Sequence, residues 1–263
     1  MEKRAIAMTV AGSDSGGGAG IQADLKTFHQ FGVFGTSAIT ALTAQNTLGV
    51  SGVHAVPTDF VVQQMEEVLR DIGTDALKTG MLFNAEIIRA VASVIKKHQV
   101  KKVVVDPVMV AKGGAKLLLD EAVAALQDSL LPLSYLITPN LPEAEVLTGM
   151  TIRSETDMEE AARRIHEMGP RHVMMKGGHL ESEELVDLLF DGEEFYRFPH
   201  KRFDTRHTHG TGCTFSAALT AELAKGTELI HAVERAKVFI IEAIRTAPEI
   251  GAGHGPTNHW AEM

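Results

Sequence analysis

His207-Thr208-His209-Gly210-Thr211-Gly212-Cys213 runs straight into Thr214-Phe215-Ser216-Ala217-Ala218-Leu219, a stretch able to form a helix. A glycine-rich turn that opens a helix presents unpaired backbone N–H groups, and glycine lets that backbone come close to a ligand. With the helix dipole added, such a turn is an anion site. Cys213, the only cysteine of the chain, falls at the helix start. A helix N-terminus lowers a thiol's pKa, so this residue is expected to serve as a thiolate, a base or a nucleophile. The competing reading is a small buried apolar residue, the usual fate of a free cysteine. The Gly-Thr-Gly context favours chemistry.

Three further segments carry groups suited to chemistry. Ala11 to Gly20 is a glycine-rich loop after an apolar run. Its Gly16-x-Gly18-x-x-Ile21 spacing lacks the third glycine of a dinucleotide turn, and the chain has no Gly-Lys-Ser/Thr P-loop. The loop is therefore read as backbone that approaches a small ligand. Asn140-Leu141-Pro142-Glu143 sets an amide and a carboxylate three apart at a strand-to-helix turn. That pattern is either a helix cap or, through water, a handle for a hard cation on a phosphate. Met175-Lys176-Gly177-Gly178-His179 offers a cation and two glycines after a strand, as a nucleotide-phosphate contact would. The twelve histidines do not make a zinc site: His207 and His209 are two apart, His254 and His259 five apart, and none has an i,i+4 partner with a carboxylate.

Positioning these groups requires a frame. Apolar strand-length runs at residues 5–11, 37–42, 76–79, 102–105, 135–138 and 172–175 alternate with helical patterns. The helices are expected at 21–31 with Gly32 as C-cap, 61–70 with Asp59 as N-cap, 86–97, 156–167, 214–224 closed by Gly226, and 230–245. Runs 185–190 and 194–198 flank Asp191-Gly192 as a hairpin. This alternation predicts an α/β fold with a mainly parallel central sheet and helices on both faces. Ligands bind at the carboxyl ends of such strands. Asp14, Gln45, Lys78, Asp106, Asn140, Glu143 and Lys176 all end or follow an apolar strand, too many for chance placement of polar residues.

The 263 residues, 44% hydrophobic, form a sizeable core, and no linker divides them, so a single domain over 1–263 is expected. A net charge of −9 argues against nucleic acid as partner. One cysteine excludes an internal disulfide and fits a reducing cytoplasm. The apolar run from Ala5 to Gly12 is too short for a secretory leader, and no stretch is long enough to span a bilayer, so no membrane association is expected.

At these same residues the chain resembles the ribokinase superfamily. Gly210-Thr211-Gly212-Cys213 is similar to its Gly-x-Gly-Asp anion hole, with cysteine in place of the aspartate, and Asn140-x-x-Glu143 to its metal-handling motif. Ala11-Gly12-Ser13-Asp14, Gly20 to Thr27, Ala41 to Thr47, Thr79-Gly80-Met81-Leu82, Asp106-Pro107-Val108-Met109, Thr138 to Ala144 and the terminal Gly253-His254-Gly255-Pro256 narrow the resemblance to the hydroxymethylpyrimidine/phosphomethylpyrimidine kinases of thiamine biosynthesis. It covers nearly the whole chain.

The resemblance implies a ribokinase-like kinase with ATP as co-substrate and Mg²⁺. It phosphorylates 4-amino-5-hydroxymethyl-2-methylpyrimidine and then the monophosphate. It implies catalysis by Cys213 within the Gly210, Thr211 and Gly212 anion hole, Cys213 being the base or the group that orients the hydroxyl. Gln45, Met81, Val108, Ala19 and Gly18 would bind the pyrimidine. Lys176, Thr211, Asp106 and Asn140 would bind ATP, with Glu143 and Asn140 holding the metal through water. It also implies a homodimer, and glycines in 110–114 mark a candidate lid. Pyridoxal kinase shares the scaffold and the Gly-x-Gly-Cys turn; Ala44-Gln45-Asn46-Thr47 distinguishes the pyrimidine enzymes. A non-catalytic pyrimidine-binding module would have lost Cys213, Asn140 or Glu143, and all three are present.

Overall fold

A computed structural model describes residues 4–109, 120–178 and 184–262. Among the described residues nine strands form one sheet in the order β3-β2-β1-β4-β5-β6-β7-β8-β9. β1 (Ile6–Asp14), β2 (Phe34–Asn46), β4 (Ala76–Thr79), β5 (Val103–Val105), β6 (Leu136–Ile137) and β7 (His172–Met175) pair in parallel. β3 (Gly49–Ala55), β8 (Glu184–Phe190) and β9 (Phe195–Lys201) add antiparallel edges.

Strand periodicity builds two cores from one sheet. Met8, Val10, Leu77, Val103, Val105, Ile137, Val173 and Met175 face one helical layer. Their neighbours Ala7, Ala76, Val104, Leu136 and Met174 face the other. The central strands are buried on both faces, which is why they read as unbroken apolar runs. On the first face lie α2 (Thr58–Asp71), α3 (Ala85–Lys97), α4 (Asp120–Ala125), α5 (Leu141–Thr148) and α6 (Glu155–Glu167). On the second lie α1 (Gly20–Gln30), α7 (Thr211–Ala224) and α8 (Leu229–Arg245). Every residue of α7 from Thr214 to Ala224 is buried, so the helix that carries the anion turn is held on all sides.

Several boundaries differ from the sequence expectation. α2 begins at Thr58 with Pro57 as N-cap, so Asp59 lies inside the first turn and not at the cap. The fixed φ of proline starts the helix earlier, and Asp59 still faces its positive end. β2 extends well past 37–42, because its distal half leaves the sheet body as a ribbon with β3. β3 itself, Gly-rich and exposed, shows no apolar alternation that would reveal it. The hairpin expected from the runs 185–190 and 194–198 forms as β8 and β9, with β9 running on to Lys201.

β1 pairs with β2 on one side and with β4 on the other, so consecutive crossovers leave β1 in opposite directions. Such a switch point, beyond the carboxyl ends of β1 and β4, is where open α/β sheets bind their ligands. Lys78, expected at an open strand end, is instead wholly buried. Its Nζ lies 3.0 Å from the Asp24 carboxylate of α1, which also accepts the Thr9 hydroxyl at 2.6 Å. Burial raises the Asp24 pKa, opposed by Lys78 and Thr9. Burial alone would lower that of Lys78, but Asp24 and, to a smaller extent, the acidic groups around it together outweigh burial and the ammonium is retained.

Removing one member of a buried pair strands the other charge and costs roughly 3–5 kcal/mol. Lys78→Met is expected to lower unfolding free energy by that order in urea titration. Lys78→Met combined with Asp24→Leu is expected to recover most of it. Equal losses in the single and double variants would show that the pair does not act as a unit.

Candidate active site

The anion turn is built by contact between two glycine-rich segments. Gly210 caps α7 with φ 77°, and no side chain caps the helix. A Cβ on Gly210 would lie 1.7 Å from the carbonyl oxygen of Gly18. Only glycine fits, for its backbone conformation and for this approach. Gly212 and Cys213 lie in the first turn, where N–H groups have no helical carbonyl one turn back. The Thr211 hydroxyl and the Thr211 N–H both donate to the Thr208 carbonyl, at 2.8 and 3.3 Å, which ties this residue to the loop before the helix.

Cations and carboxylates gather over this turn. A Cβ on Gly212 would lie 3.4 Å from Lys176 Nζ and 3.8 Å from Asp106 Oδ2. Lys176 pairs with Asp106 at 3.3 Å, and the Ser216 hydroxyl donates to Asp106 at 3.2 Å. Burial tends to discharge Lys176, but Asp106 and Glu143 hold its pKa above the ordinary value. Asn140 and Glu143 form a full capping box on α5: Asn140 Oδ1 accepts from the Glu143 N–H, and Glu143 Oε2 from the Asn140 N–H. The cap is also what fixes the carboxylate at the site. Burial raises the Glu143 pKa, Lys176 lowers it, and Asp106 raises it. Behind Lys176, the Gly177 N–H donates to Asp187, whose other oxygen receives Lys237 at 2.5 Å. A Cβ on Gly177 would collide with the Val186 carbonyl, so this strand end is also fixed by glycine.

The opposite wall is organised by Asp14. Its carboxylate accepts from the N–H groups of Gly16, Gly18 and Ala19 at 2.8, 3.1 and 2.9 Å, and from His209 Nε2 at 2.8 Å. Burial raises its pKa, but His209 and these N–H groups bring it below the ordinary value. Gln45 lies within 3.3 Å of the same His209 nitrogen. Gly12 leaves room for Met81, whose Cε is 2.5 Å from where a Cβ would be. Val108, which ends the described stretch with Met109, has φ 22°, a strained value for a β-branched residue.

The Cys213 thiol is pushed up to about 11 by burial; Lys78 pulls it down, Asp106 and Asp24 push it up, and the Gly20 N–H pulls it down. The expected thiolate is therefore not the resting form. The helix N-terminus is outweighed by desolvation and two nearby carboxylates.

The structure thus brings Gly18, Ala19, Gln45 and Gly210 together on one side, and Gly212, Asp106, Asn140, Glu143 and Lys176 on the other. The lid candidate at 110–114 and His179 lie outside the described residues. Sequence reading weighed His209 only as a metal ligand; its place beside Gly210 was the signal of its role. Among the described residues no three ligating side chains form a metal cage.

The C-terminal segment straps these parts together. The His254 N–H donates to the Thr47 carbonyl, His209 pairs with Pro256 as a bridge, and His259 Nε2 sits 3.1 Å from the Thr214 hydroxyl.

A doubly wound sheet with this switch point, an anion turn on a buried helix and a Lys–carboxylate cluster over it define a small-molecule kinase of the ribokinase-like fold. The match to the family described as Phosphomethylpyrimidine kinase spans residues 14–258, and the chain belongs to that family. It is 57% identical over 256 residues to the hydroxymethylpyrimidine/phosphomethylpyrimidine kinase of Bacillus subtilis (strain 168), covering 97% of this chain and 94% of the relative. The phosphomethylpyrimidine kinase of Clostridium difficile 630 superposes with a TM-score of 0.83 at 45% identity, over 92% of this chain and 100% of the other. The ADP complex of Bacillus subtilis pyridoxal kinase superposes with a TM-score of 0.92 at 46% identity, covering 98% of each chain.

Burial, with the positive charges of Lys26 and His209, lowers the His259 pKa to about 4. Between pH 4 and 6.5 the unfolded chain binds a proton at this residue that the folded chain excludes. Stability is therefore complete above pH 6.5 and falls as pH drops toward 4, by about 3 kcal/mol for this residue. His259→Gln is expected to flatten that part of the pH profile in urea unfolding; an unchanged slope would show that other groups carry it.

Proposed function

We infer that this chain uses ATP to phosphorylate the hydroxymethyl group of 4-amino-5-hydroxymethyl-2-methylpyrimidine, and then phosphorylates that monophosphate to the diphosphate, in thiamine biosynthesis. The observation that carries the reading is the two-sided site. One anion turn, Gly210 to Cys213, has Gln45 and the Gly18-Ala19 loop on one side and Lys176, Asp106 and Glu143 on the other.

Phosphoryl transfer forms an oxygen–phosphorus bond to the hydroxyl, breaks the bond to the leaving ADP and releases the hydroxyl proton. Its demands are in-line positioning and neutralisation of charge on the moving group. The Gly210–Cys213 backbone and the α7 dipole supply the second as an anion hole. Lys176 contacts the nucleotide phosphates, with Asp106 and Asn140 on the same side. Gln45 bonds the aminopyrimidine edge, Met81 and Val108 pack on the ring, and the Gly18-Ala19 backbone approaches it.

Mg²⁺ fits this donor set. A cation that keeps its waters and is carried by ATP phosphates needs only one or two carboxylates, and Glu143 with Asp106 supplies them. Both Glu143 and Asn140 already hold each other in the capping box, which favours contact through water. When bound, the ion screens charge between the phosphates.

Cys213, neutral at pH 7, orients the substrate hydroxyl, and the proton that the hydroxyl releases leaves on an oxygen of the transferred phosphoryl group. The chain acts as one kinase domain in the cytoplasm. Val50 and Val53 leave apolar surface exposed on one face of the β2–β3 ribbon. A second copy covers it in a homodimer. No described helix is long and apolar enough to cross a membrane.

Pyridoxal is the second reading, because the pyridoxal kinase of Bacillus subtilis shares the fold over almost the whole chain. ADP release with Mg-ATP, measured on the hydroxymethylpyrimidine, its monophosphate and pyridoxal, decides between them. Turnover of both pyrimidines with pyridoxal far weaker is expected; pyridoxal turnover with the monophosphate inert would place the enzyme in vitamin B6 salvage. For Cys213→Ser we expect at least about a tenth of wild-type kcat, and a wild-type kcat flat between pH 6.5 and 9. A rate that climbs tenfold per pH unit, abolished in Cys213→Ser, would make the thiolate the base.

A further inference from the structure

The hydrogen bonds around Gln45 admit one arrangement of protons. The Gln45 amide nitrogen is placed 3.3 Å from His209 Nε2 and its oxygen 3.2 Å from the Thr43 hydroxyl, but the two ends of an amide are told apart only by their partners. His209 Nε2 is also 2.8 Å from Asp14 Oδ2. A lone pair on Nε2 would face an ionised carboxylate, so Nε2 carries the proton and donates it. An amide NH₂ placed against that N–H would set donor against donor. Turning the amide by 180° removes that clash and sets the Gln45 oxygen against the His209 N–H, which it shares with the nearer Asp14 oxygen.

The other end gives the same answer independently. The Thr43 hydroxyl lies 2.9 Å from the Ser13 carbonyl, which only accepts, so its single proton is used there. Thr43 can then only accept from Gln45, and the atom facing it is the amide nitrogen. The Gln45 backbone is held separately, its N–H donating to the Ser15 hydroxyl and its carbonyl accepting from it, each at 2.8 Å.

With the amide so turned, Gln45 has one N–H and one oxygen lone pair left. That pair matches a ring nitrogen beside an exocyclic amino group. It mismatches a ring N–H beside a carbonyl, unless the amide rotates. Rotation would bring its NH₂ against His209 Nε2–H.

We propose that His209 is a positioning residue: anchored by Asp14, it fixes the orientation of the Gln45 amide and so makes the site select a 4-amino over a 4-oxo pyrimidine. The inference rests on Gln45 reading the pyrimidine edge, as proposed above. It deepens that reading by naming what holds the reader in place. His209 also adjoins Gly210, so the residue that sets recognition is continuous with the turn that receives the phosphoryl group.

The test compares kcat/KM for 4-amino-5-hydroxymethyl-2-methylpyrimidine and for its 4-oxo analogue in the wild type, His209→Met and His209→Gln. Methionine fills the space without a donor; glutamine places an N–H near the position of Nε2. Wild type is expected to prefer the amino compound by about 10³-fold. His209→Met is expected to cut that ratio at least tenfold, with KM for ATP within about twofold of wild type, and His209→Gln to keep it within about threefold. Thermal melting checks that each variant is folded.

A merely structural role would lower both substrates together and leave the ratio unmoved in His209→Met; that result overturns the proposal. So does a wild type that fails to discriminate. Loss of the ratio in both variants also overturns it, because the donated proton would not be the cause. Wild type inert toward both compounds would instead remove the functional reading itself.

Discussion

Asp14 closes β1 with a carboxylate that gathers four donors from two distant parts of the chain. Three are backbone N–H groups of its own loop and the fourth is His209, nearly two hundred residues later. The loop is thereby folded back onto itself and joined to the anion turn. The near-contact of Gly18 with Gly210 depends on that closure. Without it, the substrate wall and the phosphate-receiving turn would be two separate loops, each free to fluctuate. An ionised, multiply bonded carboxylate is among the strongest local organisers available to a protein.

The charges under and over the turn are arranged in opposition. Lys78 and Asp24 neutralise each other in the floor, and Lys176 and Asp106 do so in the roof. Glu143 adds a further negative group beside Lys176. This leaves the empty site close to balanced, with a neutral thiol between the pairs. A polyphosphate and its cation entering such a site meet fixed charges already in place, the arrangement that favours electrostatic preorganisation. Cys213 cannot be understood from its helix position alone, because desolvation and the nearby Asp106 and Asp24 raise the thiol pKa of this half-buried residue.

Long-range ties supply the rigidity. The C-terminal segment reaches the β2–β3 ribbon through Thr47, the anion turn through His209 and the first turn of α7 through His259. Its glycines permit this: a Cβ on Gly253 would strike the Thr47 carbonyl, and one on Gly255 would strike His207. The ribbon that carries Gln45 projects beyond the sheet body and would otherwise have few partners.

Local physics made much of the protein legible in the sequence. Apolar runs of strand length, helical periods and terminating glycines placed most of the sheet and helices, because those signals act over neighbouring residues. The Gly-Thr-Gly-Cys turn and the Asn-x-x-Glu cap were likewise visible, since each motif is a local backbone device. β3 escaped notice because two glycines and an exposed face erase its alternation. Tertiary structure decided the remainder. Lys78 looked like a strand-end site residue, but its partner Asp24 comes from a helix across the sheet. Cys213 looked activated, but desolvation by distant elements keeps its proton on. His209 looked like a stray imidazole, and only the fold sets Asp14 and Gln45 on the same nitrogen. Periodicity and capping are carried by residues adjacent in the chain; burial and charge pairing depend on residues that only folding makes adjacent.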